Sequence, residues 1–207
     1  MNLLGLIRGN GDTRRSVSLS EKGDLYVAQA FPPYAELTRQ GGGYSAMATA
    51  AVAALVVRPT TVAMATLFNN EPTKGGQSLI MEEGFAHNLV ASANAAFSIW
   101  LCLHPVGMAA PTNDITVRNS HNGRPPRSGA ETIFDNGATV VDDGWFPWGV
   151  SGATVTVTTP GAVAIAPIYG RLIVPPQAGI SLQVVATAAG GTFTAGFRWY
   201  EANMKNE

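Results

Sequence analysis

The chain has 207 residues, of which 46% are hydrophobic and only 13% charged, and its formal net charge is -1. A soluble domain usually carries about 25% charged residues, so a monomer of this composition has too little charge to cover its surface, and we expect protein neighbours. Nucleic acid is excluded as an expected partner because neutralising its phosphates needs a basic excess, and no stretch offers the ~20 apolar residues of a membrane span.

The first 43 residues are predicted to form an N-terminal arm in front of a domain at 44–207. Residues 16–20 read Ser-Val-Ser-Leu-Ser, an alternation that predicts a strand with one dry and one wet face, and residues 24–30 are a second candidate strand. The arm has little core of its own, so we expect it to become ordered on a neighbouring protein. Its candidate contact residues are Arg8, Arg14 and Arg15.

Short strands are predicted along the rest of the chain. Residues 45–57 are rich in alanine, which favours a helix, but their β-branched residues and the Arg58-Pro59 pair that follows favour a strand. Turns rich in glycine, proline and asparagine separate the other candidates, which lie at 60–68, 78–87, 96–104, 114–118, 131–134, 139–141, 154–158, 163–169 and 170–174. Residues 180–184 and 193–199 also alternate around a turn at 188–191, which predicts a C-terminal hairpin.

The candidate strand at 96–104 is apolar on both faces. Phe97, Ile99 and Leu101 fall on one side, and Trp100 and Cys102 fall on the other. Such a strand is expected to be covered on both sides. We expect the face with Trp100 to be buried in a homo-oligomer, most simply a homotrimer, which makes Trp100 a candidate contact residue.

About a dozen short strands with regular turns predict an all-β chain. The predicted fold class is a jelly-roll β-sandwich with the N-terminal arm and one long inserted loop at 105–127. Long loops in domains of this class commonly make contacts, so the loop and the arm are both candidate partner surfaces.

The sequence shows no pattern typical of catalysis or cofactor binding. A serine hydrolase needs a nucleophile, a base and an oxyanion hole, and no serine stands in a nucleophile-elbow motif. His87, His104 and His121 are isolated, unlike the histidine pairs of a cupin-like metal enzyme, and the single Cys102 excludes a multi-cysteine zinc site. We predict that the protein is not an enzyme and that it has no catalytic, cofactor-binding or metal-binding residues.

Two acidic patterns leave alternatives open. Glu83 and His87 share one face of a candidate strand, which suits either two metal ligands or a hydrogen-bonded pair. The Asp142-Asp143-Gly144 triplet suits either a turn or oxygen ligands for calcium. Turn chemistry and hydrogen bonding are the favoured interpretations, so neither pattern changes the prediction.

The most conspicuous cluster is Trp145-Phe146-Pro147-Trp148, which holds two of the four tryptophans of the chain. We interpret it as a glycine-flanked loop. Large rigid aromatic side chains on a loop suit contact with a protein partner or stacking against a sugar, and the alternative is that they plug the open end of the sandwich. Trp145, Phe146 and Trp148 are therefore candidate partner contacts.

Three segments carry a resemblance to a known class of proteins. They are GRLIVPPQAGISLQVVATAAGGTFTAGFRWYE at 170–201, RPTTVAMATLFNN at 58–70 and FSIWLCLHPVG at 97–107. Their strand order, Pro-Pro hairpin and aromatic last strand resemble small jelly-roll structural proteins of tailed-bacteriophage virions. The closest likeness in style is to the capsid decoration or cement class, whose fold is similar to tumour-necrosis-factor-like trimers.

The resemblance implies a role without catalysis. It implies a virion structural protein on the outer capsid surface that binds the lattice of the major capsid protein, often as a homotrimer, and reinforces it. The alternative is a receptor- or glycan-binding jelly-roll module of a phage tail fibre or head fibre, which would use Trp145 and Trp148 for stacking.

Overall fold

Antiparallel β-strands dominate the computed structural model, which describes residues 34–90, 95–112, 115–121, 123–127, 131–153 and 162–204, without the side chains of 36 and 149–153. The chain divides into two compact units, residues 1–35 and 36–207, and only Tyr34 and Ala35 of the first are described. The candidate strands at 16–20, 24–30 and 154–158, and the arm residues Arg8, Arg14 and Arg15, lie outside the described residues. The predicted boundary between arm and domain stays a prediction.

The described elements are one short helix and twelve strands. In chain order they are α1 (Ala35–Arg39), β1 (Gly43–Met47), β2 (Val52–Ala53), β3 (Ala65–Asn69), β4 (Ser78–Val90), β5 (Ala96–His104), β6 (Arg118–Asn119), β7 (Thr132–Asn136), β8 (Phe146–Ala153), β9 (Val163–Pro167), β10 (Ile173–Val174), β11 (Gly179–Ala186) and β12 (Thr192–Ala202). In the part of the chain that these elements cover, no helix has the length and apolar character needed to cross a bilayer.

The strands form two antiparallel sheets. The seven-stranded sheet has the order β10-β4-β12-β1-β6, with β9 paired to β4 and β2 paired to β12, and the five-stranded sheet has the order β7-β3-β11-β5-β8. When the eight main strands β1, β3, β4, β5, β8, β9, β11 and β12 are numbered one to eight, the sheets read 1-8-3-6 and 2-7-4-5. This connectivity is that of a jelly roll, and the predicted all-β sandwich is confirmed.

The core lies between the two sheets and is built from the alternating positions of their strands. In β12 the apolar positions predicted to share one side, from Phe193 to Trp199, are buried, whereas Arg198 on the opposite side is exposed. Across the core, the Phe193 ring lies 4.8 Å from the ring of Phe97 on β5. Burying a side chain of this size contributes about 1.5–3 kcal/mol.

The predicted C-terminal hairpin is wrong. Strands β11 and β12 are consecutive, but β11 pairs with β3 and β5 in one sheet, and β12 pairs with β4 and β1 in the other. The connection at 187–191 therefore crosses from one sheet to the other. This arrangement lets the apolar sides of both strands face the same core, whereas a hairpin would place them side by side.

Several predicted strand bounds are corrected. Residues 45–57 are not helical and contain two strands, β1 and β2, so the strand interpretation is confirmed in part. In the candidate at 60–68 only residues from Ala65 onward are in a strand. The candidate at 139–141 is reduced to an isolated bridge between Val62 and Thr139, and β6 covers only the end of the candidate at 114–118.

Candidate functional site

Two loop segments cover the outer face of the five-stranded sheet. We call residues 58–63 and 138–145 together the covering segment. Its two parts are joined by backbone hydrogen bonds, among them Val140 N to Thr61 O at 3.0 Å and Asp142 N to Thr60 O at 3.0 Å. Arg58 donates hydrogen bonds to the carbonyl oxygens of Asp143 and Trp145. The covering segment buries polar residues that would otherwise face solvent.

A cluster of polar side chains lies beneath the covering segment. Cys102 and His104 are two positions apart in β5 and therefore share its outer face. Asp142 approaches them from the covering segment. The Nδ1 atom of His104 lies 2.9 Å from Oδ2 of Asp142 and 3.9 Å from Sγ of Cys102. His104 is isolated in the sequence, but the fold brings a carboxylate to it from 38 positions away along the chain.

The cluster continues into the sheet through two hydroxyl groups. The Nε2 atom of His104 lies 2.7 Å from Oγ of Ser181 on β11, and that oxygen lies 2.9 Å from Oγ1 of Thr66 on β3. Ser181 and Thr66 are fully buried. Both ring nitrogens of the neutral imidazole are hydrogen-bonded when Nδ1–H donates to Asp142 and Nε2 accepts from Ser181.

The surroundings shift the protonation of all three titratable groups. Burial lowers the pKa of His104 below its ordinary value of 6.5, although the Asp142 carboxylate favours the charged form. Burial alone would raise the pKa of Asp142, but hydrogen bonds from the Gly144 amide and from His104 lower it. Burial, with the nearby Asp142 carboxylate, raises the pKa of the Cys102 thiol to about 12. At neutral pH the cluster therefore contains a thiol, a neutral imidazole and a carboxylate.

A cleft of about 800 Å³ opens beside this cluster, and both His104 and Asp142 line it. Its other walls come from the start of the predicted inserted loop, including Met108, and from residues 135–141. Although the order Ser181, His104 and Asp142 resembles that of a hydrolase triad, Ser181 is fully buried under the imidazole. In this conformation its hydroxyl is inaccessible to a substrate, so the arrangement does not present a nucleophile.

The aromatic cluster is not a loop as predicted, because residues 146–153 form strand β8 at the edge of the five-stranded sheet. Trp145, just before β8, is only 3% exposed and packs with Ala63 and Cys102. Phe146 and Trp148 are partly buried against the main core, with their ring centroids 5.8 Å apart.

Trp148 closes one edge of the sandwich. Its Nε1 donates a hydrogen bond of 3.1 Å to the carbonyl oxygen of Pro167 at the end of β9, in the other sheet. The Arg171 guanidinium lies 5.0 Å from the Trp148 ring centroid. Of the two interpretations of the aromatic cluster, these contacts favour a plug. Its role as a partner contact stays a prediction.

Trp100 is covered by its own chain. It is half-buried with Val140 of the covering segment, and its Nε1 donates to Ser98 Oγ at 3.0 Å. Cys102 on the same face is fully buried. The expectation that both faces of this strand are covered is confirmed for its middle, where the covering segment supplies the cover on this face, but Leu103 near its end is 42% exposed.

A row of apolar residues crosses the outer face of the seven-stranded sheet and is exposed at its two ends, while its middle is half-buried or buried. Cross-strand pairing places Ile165 next to Phe85, Phe85 next to Gly196, and Gly196 next to Met47. Ile165 is 45% exposed and Met47 is 50% exposed, while the alanines that flank Ile165 face the core. We call Ile165, Phe85, Gly196 and Met47 the apolar row.

Gly196 is required by the packing within the apolar row. A Cβ atom there would lie 2.6 Å from the Phe85 ring and 2.2 Å from the Ala46 carbonyl oxygen. A groove of about 560 Å³ follows this face between Met47, Phe85 and Arg198. The alternation at 163–167 is visible in the sequence, but it does not show that the larger side chains face outward.

The predicted inserted loop contributes to the fold as well as to the surface. Its strand β6 pairs with β1, and its last residue, Arg127, is the centre of an ion-pair network. The Arg127 guanidinium lies 2.6 Å from Glu71, 3.0 Å from Glu131 and 2.7 Å from the buried Glu201. It also lies 5.6 Å from the Tyr44 ring centroid.

Three features of the described residues therefore stand out: the polar cluster under the covering segment, the apolar row, and the Arg127 network. The first brings titratable side chains together, and the second has exposed apolar side chains at both ends. Comparison with known proteins finds no matching protein-family model, no matching curated protein and no matching solved structure.

Proposed function

We propose that the chain is a structural protein of a virion, without enzymatic activity, that binds an assembled capsid shell from outside and stabilises it. The single observation that carries the proposal is the apolar row on a jelly-roll sheet, which is exposed at Ile165 and Met47. Apolar surface on an open sheet face is typical of a contact with another protein, and here it supports self-association. The resemblance of the sequence to capsid decoration proteins supports a capsid shell as the partner of the assembled protein.

The apolar row is the proposed contact between copies of the chain in a homotrimer. The ion pair of Arg198 and Glu83 flanks the row, so apolar residues have charged neighbours there, and the exposed Val163 adds apolar surface on the same strand as Ile165. Interfaces between proteins commonly have this anatomy. Trp100 is half-buried by its own chain, so the proposed trimer contact lies at the apolar row and not at Trp100.

The proposed contacts with the capsid lattice are the N-terminal arm and the loop at 105–127. The arm contributes Arg8, Arg14 and Arg15, and the aromatic segment around Trp148 is the second choice. A subunit that binds only the assembled lattice stabilises it by RT ln(1 + [L]/Kd), about 2.7 kcal/mol per site at a hundredfold excess over Kd. Attachment through three linked copies strengthens binding further by effective concentration.

The test compares virus particles that carry the chain with particles that lack it, and with particles carrying a chain without residues 1–20. We expect both altered particles to lose their genome at a lower temperature than native particles. We also expect them to lose it on transfer to low salt under conditions in which native particles stay intact. Particles that are equally robust but fail to attach to host cells would contradict the proposal. That result would favour the receptor- or glycan-binding alternative.

A further inference from the structure

The covering segment brings three metal-ligating atoms together at the base of the cleft. Sγ of Cys102, Nδ1 of His104 and a carboxylate oxygen of Asp142 lie within 4.8 Å of one another. The separation from Nδ1 is 2.9 Å to Oδ2 and 3.9 Å to Sγ. A tetrahedral zinc ion, with bonds of about 2.0–2.3 Å, separates its ligand atoms by about 3.3–3.7 Å. Side-chain movements of less than about 1 Å would therefore admit the ion.

Hydrogen bonds around the cluster hold two of these ligands in a suitable orientation. Oδ1 of Asp142 accepts a hydrogen bond of 2.7 Å from the Gly144 amide, which leaves Oδ2 facing the imidazole. Nε2 of His104 is engaged by Ser181, which is in turn engaged by Thr66. A metal-ligating histidine almost always makes such a bond through its other ring nitrogen, because the bond fixes its tautomer and orientation.

The cluster is also open on one side. His104 and Asp142 line the cleft, whereas Cys102 is fully buried behind them. An ion can therefore approach from the cleft, and a fourth ligand such as water has room on that side. Zinc sites with three protein ligands hold water or another small ligand in the fourth position.

We propose that Cys102, His104 and Asp142 bind a divalent transition-metal ion, for which zinc is the best match. The donor set carries this choice, since sulfur and imidazole nitrogen suit Zn²⁺, whereas Mg²⁺ and Ca²⁺ take oxygen ligands. On binding, the Cys102 thiol releases its proton to solvent and its sulfur bonds to the ion. The imidazole changes tautomer, so that its proton lies on Nε2 and this N–H donates a hydrogen bond to Ser181 Oγ.

The bound ion would link the covering segment to β5, independently of any capsid partner. Its presence would therefore raise the thermal stability of the isolated chain. This inference goes beyond the proposed function, and its test needs neither virus particles nor a trimer.

Calorimetric titration of the reduced, chelator-treated full chain with Zn²⁺ tests the site. We expect one equivalent of zinc per chain, and loss of this binding in Cys102→Ala and His104→Gln. Ser181→Ala, which removes only the partner of His104, should weaken binding by about 10–100-fold. Asp143→Asn is the matched control, because it neutralises the neighbouring carboxylate, which is outside the group of three, and should bind zinc like the unaltered chain.

Absorption spectroscopy with Co²⁺ on the unaltered chain provides a second measurement that does not depend on a variant folding. Co²⁺ bound to a cysteine thiolate gives a sulfur-to-metal charge-transfer band in the near ultraviolet, and we expect this band. Bound Co²⁺ without the band would overturn the proposal. It would also be overturned if the folded, reduced chain bound no zinc, or if Cys102→Ala bound zinc as tightly as the unaltered chain.

Discussion

At the residue scale, His104 couples the stability of the fold to pH. Its pKa in the folded chain is lowered by burial, so between 6.5 and that lower value the unfolded chain binds more protons than the folded chain. The contribution of His104 to the free energy of unfolding is therefore fully present above pH 6.5, and it is lost as the pH falls through this window. A single group contributes a slope of at most about 1.4 kcal/mol per pH unit.

Urea unfolding with a chelator present, at pH values above and below 6.5, measures this slope. We expect the unaltered chain to lose more stability on acidification than His104→Gln, which cannot be protonated. Equal slopes for the two chains would contradict the assignment of the pH dependence to His104. Thermal unfolding over the same pH range should rank the two chains in the same order.

The surroundings of His104 were beyond the reach of sequence patterns. Its partners Asp142 and Ser181 lie 38 and 77 positions away, on a covering loop and on a neighbouring strand. No fixed spacing links them, because they meet only after the covering segment has packed over the sheet. The paired aspartates at 142 and 143 gave a turn signal, and a turn forms there, since Asp142 accepts a hydrogen bond from the Gly144 amide.

At the scale of elements, Arg127 holds three segments together at one end of the sandwich. It pairs with Glu201 on β12, with Glu71 after β3 and with Glu131 before β7. Glu201 is buried, and burial raises its pKa, so it needs a nearby cation to stay charged. We expect Arg127→Ala to lower the free energy of unfolding by about 3–5 kcal/mol, because it leaves the buried Glu201 carboxylate without its cation. Urea unfolding at neutral pH measures the loss.

The matched control for Arg127 is Arg198→Ala. Arg198 also pairs with a glutamate, Glu83, but its side chain is largely exposed. Exposed ion pairs contribute about 0–1 kcal/mol, so this variant should unfold close to the unaltered chain. Similar losses for the two variants would show that burial is not what makes the Arg127 network important.

Sequence patterns predict where a strand lies and which side of it is buried better than they predict which strands pair. The candidate strand at 96–104 has the same bounds as β5, and the buried side of β12 follows the predicted alternation, because both depend on a period of two along one segment. The pairing of β11 with β12 was wrong, since sheet membership depends on contacts far along the chain. Strand β8 was interpreted as a loop because Gly and Pro within it are typical of turns.

At the scale of the whole molecule, the apolar row predicts self-association. Ile165→Asp places a charge at the exposed β9 end of the row, and a charge buried in a contact without a partner is strongly unfavourable. We expect the unaltered chain to sediment as a trimer at micromolar concentration and Ile165→Asp to sediment as a monomer with an unchanged circular dichroism spectrum. Analytical ultracentrifugation measures both.

The control for this prediction is Val141→Asp. Val141 is 80% exposed on the covering segment, outside the apolar row, so the same substitution there should leave the sedimentation unchanged. A well-folded monomer of the unaltered chain at micromolar concentration would contradict the prediction. A trimer that persists in Ile165→Asp would place the contact on another surface.

The position of β12 has a consequence for how the chain folds during synthesis. Strand β1 has two partners, the two-residue β6 and the long β12, whose Tyr200 pairs with Gly43. The ribosome makes β12 last of the described strands, so until it emerges β1 is unpaired along most of its length. Strand β4 can already pair with β9 and β10 at one edge, but its other edge is open. Loop closure over such a distance is slow. Nascent chains stalled before β12 should therefore expose the edges of β1 and β4 and depend on chaperones.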